Sequence, residues 1–312
     1  MNNTIKTLPT LRQLRHLVAL AGHSHFGHAA EACFVTQSTL SASIKELETV
    51  LGATLFERSK RSVMITPLGA TLVEHARAVL RQTEDLVDAV GAAGEPLSGP
   101  LRLGVIPTIS PFLLGRVLPV LRIAHPDLEL YLREDQTAPL LERLAAGDLD
   151  TLLMAFPYDD SRVETVIFAD DPFRLAMPAG HPAAEHEHVA PGELTGETLL
   201  LLEEGHCLRD HVLAAGEINA VNRVGAFQAT SLQTLVQMVA NGLGLTLLPK
   251  MAVDAGITRA TSVVTRPLAG RAVGRQIGLA WRRTSSRVAD FTLLANFFRD
   301  ELATPLRPPP ST

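Results

Sequence analysis

Residues 26–58 read FGHAAEACFVTQSTLSASIKELETVLGATLFER, and this stretch decides the fold of the first part of the chain. Four aliphatic side chains recur at the spacing of one helix face: Leu40, Ile44, Leu47 and Leu51. The sequence therefore predicts a helix over residues 37–51, with Thr36 as its N-cap. Small side chains over residues 27–33 predict a shorter helix packed against it, and residues 10–21 predict a helix before both. This order is typical of a helix-turn-helix.

The other face of the helix over residues 37–51 is polar near its start. It carries Gln37, Ser38, Thr39, Ser41 and Lys45. Glutamine can bond base edges, and serine or threonine can bond bases or phosphates. This face is therefore predicted to enter the major groove of DNA, although a solvated surface helix is the alternative interpretation.

A short basic hairpin is predicted directly after that helix, in LFERSKRSVMIT at residues 55–66. Arg58, Lys60 and Arg61 are expected to meet phosphates there. Residues 1–62 hold seven Lys and Arg against four Glu, whereas the whole chain carries a net charge of −5. A basic N-terminal region in an otherwise acidic chain is compatible with nucleic-acid binding by residues 1–62.

The stretch at residues 26–58 resembles the winged helix-turn-helix of LysR-type transcriptional regulators. Two positions depart from the usual pattern: Ser38 stands where a proline often opens the recognition helix, and Ala42 where a basic residue is common. The resemblance implies double-stranded promoter DNA as a partner, with RNA polymerase as another. It also implies a homodimer, assembled further into a homotetramer. Operators and the sign of regulation stay open.

Residues 66–94 form one long helical pattern. Its apolar face recurs at steps of three and four residues, close to a coiled-coil seam: Leu68, Leu72, Ala76, Val79, Thr83, Leu86 and Val90. A helix packed only on its own domain is one interpretation. The resemblance favours a linker helix that pairs with a second subunit. The segment GAAGEPLSGP at residues 91–100 then breaks the helix.

From Leu101 onwards short apolar strands alternate with helical stretches, which predicts a mostly parallel sheet in an α/β fold. The resemblance implies two α/β lobes around a cleft, as in type-2 periplasmic-binding proteins. We predict a winged helix-turn-helix domain at 1–65, a linker helix at 66–94 and a two-lobed sensor domain at 95–312. Two cysteines and the lack of a long apolar run favour a cytoplasmic protein without a membrane span, and no cofactor or metal is expected.

The segment LLEEGHCLRDHVLAAGEIN, residues 201–219, contains one of the two cysteines. Cys207 falls near a predicted helix start, after the turn that Gly205 permits, with His206 and Arg209 as local donors. A helix N-terminus and nearby cations lower a thiol pKa, so this pattern favours a reactive thiolate that peroxide converts to sulfenic acid. The alternative is a buried structural cysteine that packs as a small apolar side chain. A zinc site with His206 and His211 is a third possibility, but no second thiolate lies nearby.

The motif GHCLRD resembles the redox motif of the OxyR branch, the hydrogen-peroxide-sensing members of the LysR family. By that resemblance Thr108, Thr137, His206 and Arg275 line a peroxide pocket around Cys207. Alternatively Thr108 is a strand-end hydroxyl, Thr137 a helix N-cap and Arg275 a surface ion-pair partner. The resemblance also implies a resolving cysteine nine positions after Cys207, where this chain has Gly216.

Three functions follow from these patterns. The first is a DNA-binding regulator that senses peroxide through Cys207 without a resolving cysteine. The second is a regulator whose redox switch is lost and which answers a small ligand. The third, a thiol peroxidase, rests on the neighbouring Cys207 and His206 alone.

Overall fold

The computed structural model describes residues 8–58, 63–91, 96–214, 222–270 and 273–304. The chain divides into two compact units that meet between residues 93 and 94. The predicted division at residue 65 falls inside the first unit, and we keep that finer boundary as a proposal.

Within its described residues, the first unit contains four helices and a two-stranded antiparallel hairpin. They are α1 (Leu11–His23), α2 (Phe26–Ala32), α3 (Gln37–Leu51), β1 (Phe56–Arg58), β2 (Val63–Ile65) and α4 (Pro67–Gly91). The predicted bounds of α3 are confirmed. Its predicted cap is confirmed as well, because the Thr36 hydroxyl accepts a hydrogen bond of 3.2 Å from the Thr39 amide.

The core of this unit lies between α3 and the helices before it. Leu40, Ile44 and Leu47 are fully buried. Glu48 continues that face at the end of α3, where its Oε1 accepts from the Leu55 amide at 2.9 Å and the Phe56 amide at 3.2 Å. One carboxylate therefore fixes the start of the hairpin against α3.

The apolar face of α4 has two kinds of surroundings within this unit. Ala76 is buried and Leu72 packs against the core of its own unit. Leu68, Val79 and Leu86 are instead 50%, 46% and 69% exposed. Helix α4 thus both packs on its own unit and presents apolar side chains along the predicted seam.

The second unit alternates strands and helices. Its first half contains β3 (Gly99–Val105), α5 (Ser110–Ala124), β4 (Leu128–Glu134), α6 (Thr137–Ala146), β5 (Thr151–Phe156) and β6 (Val163–Pro178). Its second half contains β7 (Thr198–Leu202), α7 (Cys207–Ala214), β8 (Asn222–Ala229), α8 (Leu232–Ala240), β9 (Thr246–Pro249), α9 (Lys250–Asp254), β10 (Val263–Pro267), β11 (Gly274–Arg282) and α10 (Val288–Ala303).

The main sheet has the order β10-β6-β11-β5-β3-β4, with β9 also paired to β6. Only β3 with β4 and β3 with β5 are parallel in it, whereas β6 and β11 pair antiparallel with their neighbours. The prediction of a mostly parallel sheet is therefore wrong. The reason is β6, a 16-residue strand that the sequence pattern does not predict. Its first half pairs with β11 and its second half with β9 and β10, so it runs through both lobes.

Two separate cores confirm the two-lobed α/β fold. One contains Leu103, Leu153 and Phe291, and the other contains Leu175, Leu200 and Val236. Helix α7 contributes to both, since Cys207 belongs to the first core while Leu208 and Val212 belong to the second. No helix in the described part of the chain is long and apolar enough to span a membrane.

Candidate functional site

Cys207 is the first residue of α7, and its side chain is only 6% exposed. The preceding turn depends on Gly205, whose φ is +94° and whose added Cβ would lie 2.4 Å from Gln136 Oε1. A residue with a side chain would be strained at this φ, and the Gln136 amide would have to move aside to make room for it. The predicted turn at Gly205 is thus confirmed, and it brings the start of α7 against the start of α6.

Thr137 is the first residue of α6, and it lies beside the thiol of Cys207. Its side chain is buried, and Oγ1 has no regular hydrogen-bond partner among the described residues. The hydroxyl is nevertheless close enough to the sulfur to favour the thiolate and lower the pKa of Cys207. The N-cap of α6 is Gln136, so the interpretation of Thr137 as an N-cap is wrong.

Arg275 connects two strands and a loop inside the second unit. It lies on β11 directly across from Asp171 on β6, and its Nε donates to Asp171 Oδ2 at 3.0 Å. Its Nη1 donates to the Thr108 hydroxyl at 2.6 Å, and its Nη2 to the Thr108 carbonyl at 2.9 Å. Both side chains of the ion pair are buried, so the surface ion-pair interpretation of Arg275 is wrong.

The electrostatics of Cys207 differ from the sequence expectation. Burial raises the pKa of its thiol, while the charge of Arg275 and the hydroxyl of Thr137 act in the opposite direction. Asp210 adds to the increase. Two of the groups that lower this pKa, Arg275 and Thr137, come from distant parts of the chain, and the backbone amide of Leu208 is a local one.

Arg209 and His206, the two local donors expected at the thiol, interact with other groups. Arg209 Nη1 donates to the Leu202 carbonyl at 3.1 Å. His206 is buried, and its Nε2 lies 3.8 Å from Glu203 Oε1. Burial lowers the pKa of His206, so this ring is neutral rather than a cation beside the sulfur.

His211 is a member of the site that sequence reasoning considered only as a zinc ligand. It follows Cys207 by four residues on α7, so both lie on one helix face. Its Nε2 is 2.9 Å from the Pro157 carbonyl, and its Nδ1 is buried without a partner within the described ranges. The i, i+4 spacing from Cys207 is the signal that could have found it. Among the described residues, no group of three or more His, Cys, Asp or Glu could hold a metal ion.

The predicted DNA-facing residues lie at the accessible start of α3. Gln37, Ser38, Thr39 and Lys45 are exposed and Ser41 is half-buried. The hydroxyls of Ser38 and Thr39 lie 3.0 Å and 2.8 Å from the Thr36 hydroxyl. In the hairpin, Arg58 ends β1, whereas Lys60 and Arg61 lie outside the described residues.

Neither cysteine is in a disulfide. Cys33 is half-buried at the end of α2 in the first unit, and burial raises the pKa of its thiol. Gly216, the position of the expected resolving cysteine, lies outside the described residues.

Comparisons with known proteins cover nearly the whole chain. The model of the bacterial regulatory helix-turn-helix protein, lysR family, matches residues 11–70, and that of the LysR substrate binding domain matches residues 94–303. The DNA-binding transcriptional dual regulator OxyR of Escherichia coli strain K12 is 42% identical over 289 residues, which is 93% of this chain and 94% of that protein.

Two solved structures extend the likeness to the fold. A full-length OxyR variant from Pseudomonas aeruginosa superposes with a TM-score of 0.77 at 37% identity, covering 94% of this chain and 95% of that one. A cysteine-to-serine variant of OxyR from Corynebacterium glutamicum, with hydrogen peroxide bound, gives 0.64 at 35% identity and covers 95% and 94%.

Proposed function

The chain belongs to the LysR family of bacterial transcriptional regulators, within its OxyR branch, and from this premise we propose that it reads hydrogen peroxide through Cys207. It is a regulator rather than an enzyme. The observation that carries the proposal is a thiol buried at the first residue of α7, where the charge of Arg275 and the hydroxyl of Thr137 oppose the rise in its pKa that burial causes. Thr108 orients that arginine, and His206 flanks the cysteine.

The burial of Cys207 suits a small uncharged oxidant. Hydrogen peroxide is small and uncharged, so it can reach a sulfur that is only 6% exposed. A sulfur lone pair forms the S–O bond, the O–O bond breaks, and the departing hydroxide takes the thiol proton to leave as water. The cationic Arg275 stabilises the negative charge that develops on that hydroxide as the O–O bond breaks.

Oxidation is read without an internal disulfide, because Gly216 has no thiol. The signal is the sulfenic acid itself, or a mixed disulfide with a low-molecular-weight thiol. Cys207 belongs to one lobe core while the next turn of α7 belongs to the other. An added oxygen at a close-packed position forces a local shift, and at this position the shift acts between the two lobes.

The output of this switch is DNA binding by the first unit. The polar start of α3 supplies the base contacts through Gln37, Ser38, Thr39, Ser41 and Lys45. The hairpin supplies phosphate contacts through Arg58, Lys60 and Arg61. Pairing through α4 gives a homodimer and further contacts a homotetramer, which activates transcription with RNA polymerase as its partner.

Mass spectrometry after mild peroxide treatment, with a sulfenic-acid trap, tests the proposal. The full chain is expected to carry the modification at Cys207, and the Cys207→Ser variant to carry none. Cys33→Ser is the matched control and should behave as wild type. A footprint on DNA that the protein selects from a random pool should change on oxidation only where Cys207 is present. An unmodified Cys207 with an unchanged footprint overturns the proposal.

The second candidate is a regulator that answers a small ligand, and the glycine at position 216 is the observation that favours it. In that case a ligand, and not peroxide, shifts the thermal unfolding midpoint and the footprint. A footprint that peroxide alone changes excludes it.

A further inference from the structure

His211 lies one helical turn after Cys207 with one ring nitrogen unused. We infer that His211 Nδ1 is the hydrogen-bond acceptor that holds hydrogen peroxide against the Cys207 thiol. The inference rests on the proposed function, since it assigns a partner to the peroxide at that same site.

The tautomer of His211 follows from its partner. Nε2 lies 2.9 Å from the Pro157 carbonyl oxygen, which can only accept, so Nε2 carries the hydrogen. Burial and the charge of Arg275 lower the pKa of His211, so the ring is neutral at pH 7. A neutral ring with hydrogen on Nε2 has a lone pair on Nδ1.

The lone pair on Nδ1 is buried and unused. His211 is 9% exposed, and Nδ1 has no hydrogen-bond partner in the part of the chain that the structure describes. A buried acceptor without a donor is costly, so such an atom in a close-packed site indicates a bound molecule. Thr137 Oγ1 is a second buried atom without a regular hydrogen-bond partner among the described residues, apart from its interaction with the sulfur.

His211 Nδ1 and Thr137 Oγ1 both belong to the surroundings of Cys207. The i, i+4 spacing puts His211 and Cys207 on one face of α7. Arg275 acts electrostatically on both, lowering the pKa of the thiol and that of the imidazole. The thiol and the imidazole are therefore both within electrostatic reach of the same guanidinium.

Hydrogen peroxide fits this set because it brings two O–H donors. One O–H donates to His211 Nδ1 and fixes the direction of the O–O bond, so that the other oxygen can face the sulfur. The sulfur lone pair forms S–O, the O–O bond breaks, and the departing hydroxide takes the thiol proton and leaves as water. His211 stays neutral throughout and is a positioning residue for the oxidant.

The test compares His211→Leu with His211→Gln in the full chain. Leucine removes the acceptor, whereas a glutamine amide can donate to Pro157 and still accept from peroxide. Two rates are measured at Cys207: sulfenic acid formation with hydrogen peroxide, and alkylation by iodoacetamide, which reports thiolate availability but needs no such acceptor. We expect His211→Leu to lower the peroxide rate about tenfold, as loss of one hydrogen bond predicts. Its alkylation rate should stay within about twofold of wild type, and His211→Gln should recover most of the peroxide rate.

Three outcomes overturn the inference. The leucine variant can react with peroxide at the wild-type rate, it can lose both reactions equally, or the glutamine variant can be as slow as leucine. The second of these assigns His211 a purely structural role through Pro157. Wild-type protein without sulfenic acid at Cys207 overturns the proposed function itself, and this inference with it.

Discussion

Arg275 has both a structural and a chemical role in the second unit. Its pairing with Asp171 is buried, so removing one partner leaves an uncompensated charge. We expect Arg275→Met to lower the free energy of unfolding by about 3–5 kcal/mol. The same change removes the main group opposing the raised pKa of Cys207, so sulfenic acid formation should also slow.

Urea unfolding and trapping of sulfenic acid measure these two effects of the arginine. Arg275→Lys is the control, because it keeps the charge and loses the forked donation to Thr108. An Arg275→Met protein as stable and as reactive as wild type contradicts the prediction.

The pH dependence of Cys207 follows from the direction of its pKa. Burial raises that pKa against the opposing effects of Arg275 and Thr137, while Asp210 raises it further. Alkylation of Cys207 in a Cys33→Ser background should therefore keep increasing above pH 8.5, about the ordinary pKa of a free thiol. Asp210→Asn should shift the profile to lower pH, as an iodoacetamide titration can measure. A profile that levels off below that value contradicts the assignment.

Local sequence could not choose the groups around the thiol. Positions 108, 137 and 275 are far apart in the chain, and only a family resemblance linked them to Cys207. Reading the neighbours alone selected His206 and Arg209, yet the guanidinium of Arg209 bonds a strand carbonyl. Tertiary packing decides which side chains surround Cys207. Local spacing can predict a neighbour only when both residues lie on one helix face, as Cys207 and His211 do.

At the scale of elements, local periodicity predicted much of the fold. The bounds of α3 agree with the prediction because its apolar face repeats at helical spacing, and the predicted alternation of strands and helices after Leu101 is present. Strand β6 was missed because it carries Asp170, Asp171 and Pro172 in its middle. Asp171 is stabilised inside a buried strand because Arg275 lies across from it and the Met251 amide donates to its Oδ1. A strand stabilised by a partner about a hundred residues away leaves no local signal.

The turn before α7 gives a prediction at this scale. Gly205→Ala places a side chain on a backbone with a φ of +94° and 2.4 Å from Gln136 Oε1. We expect a loss of about 1–3 kcal/mol in unfolding free energy and a slower reaction with peroxide, because α7 moves away from Thr137. Gly192→Ala is the matched control, since an added Cβ there meets nothing within 4 Å. Equal unfolding curves for both variants would falsify the idea that Gly205 sets this contact.

For the whole molecule, two buried histidines link the stability of the second unit to pH. Burial lowers the pKa of His206 and His211, so the unfolded chain binds protons that the folded unit does not. Stability is then fully present above about pH 6.5 and is lost as pH falls through the folded values. Urea unfolding followed by Trp281, the one tryptophan, should give a lower midpoint at pH 5.5 than at pH 7.5. The double variant His206→Gln, His211→Gln should flatten that difference, and an unchanged slope contradicts it.

Helix α4 of the first unit has exposed apolar side chains that a second chain could cover. Leu86 on α4 is 69% exposed and Val79 is 46% exposed, on the seam that also includes buried Ala76. A second copy of α4 would cover these side chains and place two recognition helices on one duplex, as dimeric helix-turn-helix proteins require. Under the proposed pairing, the exposed part of the seam would contribute to assembly rather than to the fold of one chain.

Leu86→Glu separates these two roles. An exposed position tolerates glutamate in the folded chain, but a charge inside a helix pair is costly, so the variant should sediment as a smaller species with an unchanged thermal midpoint. Its affinity for DNA selected by the wild type should fall at least tenfold, because one recognition helix binds far fewer phosphates than two. His75→Glu adds a carboxylate at an exposed position of α4 off the seam and is expected to retain both assembly and affinity. If Leu86→Glu keeps the wild-type sedimentation and footprint, the pairing surface lies elsewhere on the chain.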